Sequence, residues 1–481
     1  MNTRTLMLAS GSLLLAFMGI GRADPPSESA PSQTVVESKA ASQANGGLEA
    51  ILPTENSSRV RLESFWDNGY RLESSDKQFR LHIGGNAQLE SAWLIGPHGA
   101  FAIPGGDANG ILNAQGTFLR RVRFRLDGDL WSLFDYAVEY DFANAANEND
   151  GQQPPSFSNL TSAPVPCNVW MQIRDVPLFG NVRIGNQVKP IGMTNNTPQT
   201  MLPFIERADN MDAFYAPFDN GFALGISARN HTESERATWQ YGVYQPSTNS
   251  FGVALNKWAA GGRATALPIY EDDGCQLAHV GLGVWASDLV QNSMRVRART
   301  ELRNGPGFAV PTMVDTGSIT GGGQCILAPE FAAVFGPWTF QAEFAGQFFT
   351  DAVAKGLNQG TVFYHGGYAQ VLYFLTGEHQ NYDKLEGSFD RVVPRNNVRF
   401  SRCNDCRTWG AWQIGARFSY LDLNDKGIEG GQVYDLTLGI NWFLNPNMKI
   451  QLNYILERRE APQDIVSAWI NGVGLMAGFD F

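Results

Sequence analysis

The segment FLRRVRFRLDGDL, Phe118 to Leu130, separates into two rows when every second residue is taken. One row is Thr117, Leu119, Arg121, Arg123, Arg125 and Asp127; the other is Phe118, Arg120, Val122, Phe124 and Leu126. A period of two is the strand period, because successive side chains of an extended chain point to opposite faces. Three guanidiniums therefore share one face of this strand, and a mainly apolar row takes the other. The question is what kind of wall has grease on one side and arginine on the other.

The same alternation recurs from Phe79 to the end of the 481-residue chain. In WTFQAEFAGQF, Trp338, Phe340, Ala342, Phe344 and Phe348 oppose Thr339, Gln341, Glu343 and Gln347; in YDLTLGINW, Tyr434, Leu436, Leu438, Ile440 and Trp442 oppose Asp435, Thr437 and Asn441. About sixteen such segments can be marked, starting near Phe79, Thr117, Phe134, Asn168, Gly180, Gly221, Thr238, Gln276, Met294, Ile326, Trp338, Val362, Trp409, Gln432, Met448 and Trp469. Most run to about ten residues, the length a tilted strand needs to cross a bilayer. Short connections such as Leu130-Trp131-Ser132, Gly336-Pro337 and Asn445-Pro446 alternate with long ones such as Gln187–Asn220, Gln245–Cys275 and Arg303–Cys325. The pattern predicts an all-β fold, a transmembrane antiparallel β-barrel of about 16 strands. A secreted sandwich or propeller would also alternate, but a sandwich domain rarely has this many strands and no fixed blade length repeats here.

Composition agrees. The chain has 51 Gly, 30 Phe, 14 Tyr and 12 Trp, with a mean hydropathy of -0.22, as suits strands apolar on one face only. Arg4, the apolar run Leu6–Ile20 and the small residue Ala23 read as a signal peptide over residues 1–23. Residues 24–60 carry Ser, Ala, Pro and Gln without periodicity and read as a disordered linker, leaving 61–481 as the barrel. The formal charge of -11 falls to -13 without residues 1–23, which remove Arg4 and Arg22 and no acid. An acidic exported chain is a poor nucleic-acid binder.

A second row of alternating arginines lies in MRVRARTELR: Arg295, Arg297, Arg299 and Arg303, interrupted by Glu301. A charge facing lipid at mid-bilayer costs about 2–4 kcal/mol, so Arg121, Arg123, Arg125, Arg295, Arg297 and Arg299 are expected to face the pore as an anion path. Arginine suits phosphate because its planar fork offers paired N–H donors and stays charged. The other reading is that these arginines pair with lumen acids such as Asp127, Asp129, Glu139 and Asp141. No hydrolase, metalloprotease or nucleotide-binding motif is present and the six histidines lack ligand spacing, so neither enzyme chemistry, a cofactor nor a metal is expected. The pair Cys403 and Cys406, in CNDC, reads as a possible local disulfide, with two plain thiols as the alternative.

The chain resembles the phosphate-selective porin O and P family. The resemblance is carried by GAWQIGARFSYLDLND (Gly410–Asp425) and GGQVYDLTLGINWFLNPNMKIQLNYI (Gly430–Ile455), with further matches in RLHIGGNAQLES, FLRRVRFRLDGDL with YAVEYDFA, and GNQVKPIGMTNNTPQTMLPFIERA. It implies a sixteen-stranded homotrimeric channel in outer-membrane lipid, passing small inorganic anions such as phosphate or polyphosphate. It also implies a constriction loop in Gln187–Asn220, which makes Lys189, Glu206 and Arg207 eyelet candidates. A periplasmic turn that folds back into the lumen would account for the long connection at 377–407, and Phe481 fits the terminal aromatic read by barrel-insertion machinery. The competing expectations are a general or cation-leaning porin of the same fold, and a plugged barrel with a structural or surface-binding role.

Overall fold

The computed structural model describes residues 60–97, 115–143, 164–215, 221–246, 257–289, 292–303, 310, 312–400, 407–460 and 466–481. The signal-peptide and linker expectations, apart from Val60, and the Cys403–Cys406 pair lie outside the described residues.

Sixteen antiparallel strands close into a barrel. They are β1 (Phe79–Ile95), β2 (Gln115–Leu130), β3 (Phe134–Asp141), β4 (Val165–Val176), β5 (Gly180–Val188), β6 (Phe222–His231), β7 (Ala237–Gln245), β8 (Ala259–Glu271), β9 (Gln276–Asp288), β10 (Gly323–Phe335), β11 (Trp338–Ala354), β12 (Leu357–Phe374), β13 (Ala411–Asp425), β14 (Ile428–Asn445), β15 (Met448–Glu460) and β16 (Ala468–Asp480). Each pairs with the next, and β16 returns to β1 from Asn471↔Ile95 to Asp480↔Asn86, so the barrel has no open edge. Below that register β1 pairs instead with a short hairpin, Leu62–Trp66 and Tyr70–Ser74. Phe481 sits at the junction, exchanging both backbone hydrogen bonds with Gly85 and stacking on Trp66.

The barrel is inside out relative to a soluble protein. Phe340, Phe344, Phe348, Leu436, Leu438 and Ile440 are exposed, while Gln341, Glu343, Gln347, Asp435, Thr437 and Asn441 on the same strands are buried. An apolar outer belt over a polar interior is what lipid outside and water inside require.

Two expectations fail in detail. Met294–Arg303 is not a barrel strand: its alternation belongs to a hairpin within the β9–β10 connection, where Arg297–Arg299 pairs with Thr312–Asp315. The strand it displaced is β8, hidden inside the expected loop Gln245–Cys275. The outward positions of β8 are Ala260, Gly262, Ala264 and Ala266, too small to register as an apolar row. The two errors cancel in the strand count.

The opening stretch carries a third difference. The β1–β2 register slips between Gln88↔Arg121 and Leu89↔Leu119, leaving Arg120 as the extra residue of a bulge. Leu119, grouped with the arginines by strict alternation, is turned out and 55% exposed. Arg120, grouped with the apolar row, is turned in toward Glu206. The bulge keeps a guanidinium out of lipid at the cost of one unpaired ladder position.

Two connections and one turn fold into the interior. The β5–β6 connection buries Ile191, Met193, Phe204, Ile205, Phe214 and Tyr215, and its backbone is held by wall side chains: Lys449 and Gln451 donate to Leu202 O, and Asn441 donates to Pro203 O. Gly192, at φ +69°, starts this path; a Cβ there would lie 2.5 Å from the Tyr215 ring. The β9–β10 connection packs Val296, Ala298, Leu302, Met313 and Val314 into the same apolar cluster, against Leu94 and Ile455 of the wall. The β12–β13 turn leans inward from the short-turn end. Arg263 donates to Glu386 O and Gly387 O at 3.0 and 2.6 Å, and His279 meets the Tyr382 hydroxyl at 2.7 Å.

Candidate functional site: an arginine-lined cavity

Between the inward segments and the β1–β6 wall lies a polar cavity of ≈ 670 Å³, lined by eleven arginines and eight carboxylates. Four of the arginines come from β2: Arg121, Arg123 and Arg125 by alternation, and Arg120 by the bulge. Arg183 of β5 and Arg229 of β6 extend the row along the wall. The β5–β6 connection adds Glu206 and Arg207, the β9–β10 connection adds Arg299 and Arg303, and the inward turn adds Glu386 and Arg391.

The β2 arginines are largely neutralised. Arg125 Nε meets Asp127 Oδ1 at 2.7 Å, and Arg123 Nε meets Asp141 Oδ2 at 3.0 Å. Arg120 Nε binds Glu206 Oε1 at 2.5 Å and Arg121 Nη2 reaches Glu206 Oε2 at 3.5 Å, while Arg121 Nη1 donates to Gln88 Oε1 at 2.7 Å. Glu206 is thus the hook by which the β5–β6 connection grips β2. Burial pushes its carboxyl up, but Arg120, Arg121 and Arg303 outweigh that and hold it below the ordinary range. Asp212 is held down in the same way by Arg299, at 2.7 Å, and by Arg303, at 3.3 Å.

Other arginines are held without a carboxylate. Arg183 stacks 3.8 Å above the Trp170 ring and donates Nε–H to Gln172 Oε1. Arg207 donates to the carbonyls of Thr194 and Thr197, each at 2.8 Å. Among the described residues neither has a carboxylate within 4 Å. The Nε and Nη1 of Arg303 are buried and have no hydrogen-bond acceptor among the described residues. Burial pulls the Arg207 guanidinium down to about 10, so it remains charged at neutral pH. Drawing a cation out of water without a paired counter-charge is costly.

Other candidate residues lie elsewhere. Lys189 is buried at the base of the β5–β6 connection, where Nζ donates to Tyr215 O at 3.1 Å and sits over the Trp285 ring. It is not a cavity-lining residue. Arg295 is locked on Asp315 and, like Arg297, stands off the cavity; Arg299 lines it. Their common row was an expectation of the strand reading, and it is lost because the segment is a loop hairpin. Sequence reasoning passed over Arg183, Arg229, Glu386 and Arg391. The first two sit at inward positions of recognised strands and were available from alternation. The last two depend on a turn folding back through the barrel.

The family model for "Phosphate-selective porin O and P" matches residues 96–481. The chain belongs to that family. It is therefore an outer-membrane porin, a channel-forming barrel. This porin is 24% identical over 427 residues to Porin O of Pseudomonas aeruginosa, covering 80% of this chain and 85% of that relative. It is 25% identical over 444 residues to an uncharacterized protein of Caulobacter vibrioides, covering 89% of this chain and 78% of that one. Among solved structures, the anion-selective porin from Comamonas acidovorans aligns at a TM-score of 0.46 and 12% identity, covering 83% of this chain and 99% of that one.

Proposed function

We propose that this porin passes small inorganic anions, with phosphate or polyphosphate as the favoured solute, and that it works as a homotrimer, as the family resemblance implies. The observation that carries the anion reading is the pair of cavity-lining guanidinium groups with no carboxylate partner among the described residues, Arg183 and Arg207. An entering phosphate would exchange water for paired charge-assisted N–H bonds on Arg207. It would then pass toward Arg183 and the β2 arginines, whose fixed acids keep binding weak enough for release. Conduction needs this compromise between entry and escape.

The general-porin reading has its own support. Arg123 and Arg125 are paired with Asp141 and Asp127, and the whole chain is acidic. The zero-current potential of purified protein in a planar bilayer under a KCl gradient separates the two. Chloride preference, with chloride current blocked by added phosphate, supports the anion channel. Cation preference without block leaves a general porin, and no conductance from folded protein leaves the plugged barrel.

A further inference from the structure

Next to β13–β15, away from the β1–β6 wall of the arginine cavity, four carboxylates lie close together in a closed interior. Asp435 and Glu457 stand directly opposite each other in the β14–β15 register, both fully buried and facing inward. Asp209 arrives from the β5–β6 connection and Glu301 from the β9–β10 connection, each only 2% exposed. One oxygen from each of Asp209, Glu301 and Asp435 lies within 4.8 Å of the other two, and Glu457 stands beside that group rather than in it. Oxygens that share a calcium ion at about 2.3–2.6 Å are at most about 5 Å apart.

The oxygens fall into two kinds. Those of Glu301 are satisfied by the wall: Arg417 donates Nη2–H at 2.5 Å, Thr437 donates its hydroxyl at 2.7 Å, and Ser419 also donates. By contrast, both carboxylate oxygens of Asp435, both of Glu457 and Oδ2 of Asp209 have no well-formed hydrogen bond among the described residues, although the Thr300 side chain approaches Glu457 and the Asp209 and Asp435 carboxyls approach each other. Buried acceptors left without donors are costly, and each needs a partner. Arg417 on Glu301 and Arg459, two residues along from Glu457, supply two positive charges against four negative ones. Arg303 also acts on Glu457, and with it counted the carboxylates still exceed the nearby cations.

We propose that Asp209, Glu301 and Asp435, backed by Glu457 beside Asp435, hold one hard divalent cation, calcium by preference, which ties both inward connections to the barrel wall. The donor set is all oxygen, as such ions require, and it includes no His or thiolate that would select zinc or copper. Its four members come from four separate chain segments, so no local motif announces it. The ion would serve as a brace: the two connections that shape the cavity on one side would be pinned through it on the other. Protons shared among the carboxylates are the competing way to remove the excess charge.

The test uses the full-length porin in detergent, stripped with chelator and re-equilibrated with CaCl₂. Retained metal is counted by mass spectrometry, and melting is followed against free calcium. One calcium per chain is expected to be retained, with a melting temperature that climbs with free calcium. Glu457→Gln and Asp209→Asn are each expected to lose that ion and the calcium dependence. Asp209→Asn changes a connection rather than the wall, so it keeps the test alive if Glu457→Gln fails to fold. Wild-type protein that retains no stoichiometric calcium, or an Asp209→Asn variant that retains as much as wild type, overturns the proposal and leaves the protonated cluster.

Discussion

The two sides of the lumen are built by the same rule and end differently. On the β2 side, alternation delivers Arg121, Arg123 and Arg125 to an interior that stays open, as a cavity of ≈ 670 Å³. On the β13–β15 side, the same alternation delivers Arg417, Asp435 and Glu457 to an interior filled by the inward connections, where all three are buried. Inward charge therefore does not by itself make a pore. What decides is whether a connection packs onto the wall, and here Glu206 is where the β5–β6 connection, leaving the closed side, touches the open one. Arg417 Nη1 holds the Glu206 carbonyl at 3.0 Å while Arg120 holds its carboxylate.

The largest effect is expected from removing that bridge. Glu206→Gln leaves the buried Arg120 and Arg121 guanidiniums without their counter-charge. Removing one partner of a buried ion pair costs about 3–5 kcal/mol. The connection should swing off β2, raising single-channel conductance and moving the zero-current potential toward chloride. Current traces in KCl of unchanged amplitude and unchanged reversal would mean that Glu206 does not shape the conducting path.

How much of this contrast is legible in the sequence depends on the range of the interactions. The faces of β11 and β14 follow from period two alone, because lipid and water act on every residue independently of the rest of the fold. Arg120 is a different case. Nothing in FLRRVRFRLDGDL marks the bulge; the slip is favoured because it turns a guanidinium from lipid to Glu206, 86 residues away. The β8 strand escaped notice because Ala and Gly on its lipid face carry almost no signal, whereas the Met294–Arg303 hairpin alternates strongly for a local reason, with one face packed in the loop core. The acidic cluster is still less visible, since Asp209, Glu301, Asp435 and Glu457 come together only through two connections folding inward. Alternation reports which face of a strand is polar; it is silent on what lies across the lumen.

A smaller effect sharpens the open side. Arg207 is fixed by two carbonyls and by no carboxylate, so Arg207→Ala removes charge from the path without freeing an acid. If phosphate binds there, the loss of charge-assisted hydrogen bonds, about 1.5–3 kcal/mol, should weaken phosphate block of chloride current by roughly 10- to 100-fold. Stability should change less than in Glu206→Gln. A block constant equal to wild type would move the anion site elsewhere along the row.

The smallest effect belongs to a paired, half-open arginine of the same wall. Arg125 is bonded to Asp127, and both side chains remain partly exposed, at 38% and 27%. Solvent screens such a pair, and exposed pairs contribute about 0–1 kcal/mol. Arg125→Ala also unmasks Asp127, so any change in selectivity should be a modest shift toward cations, with melting nearly unaltered. Measured beside Arg207→Ala under the same KCl gradient, it separates two accounts of the row. If all its arginines act as one positive field, the two substitutions should shift the zero-current potential alike. If only guanidiniums without a fixed acid partner carry the anion, Arg207→Ala should shift phosphate block strongly and Arg125→Ala hardly at all. The second outcome is the one expected from the pairing geometry.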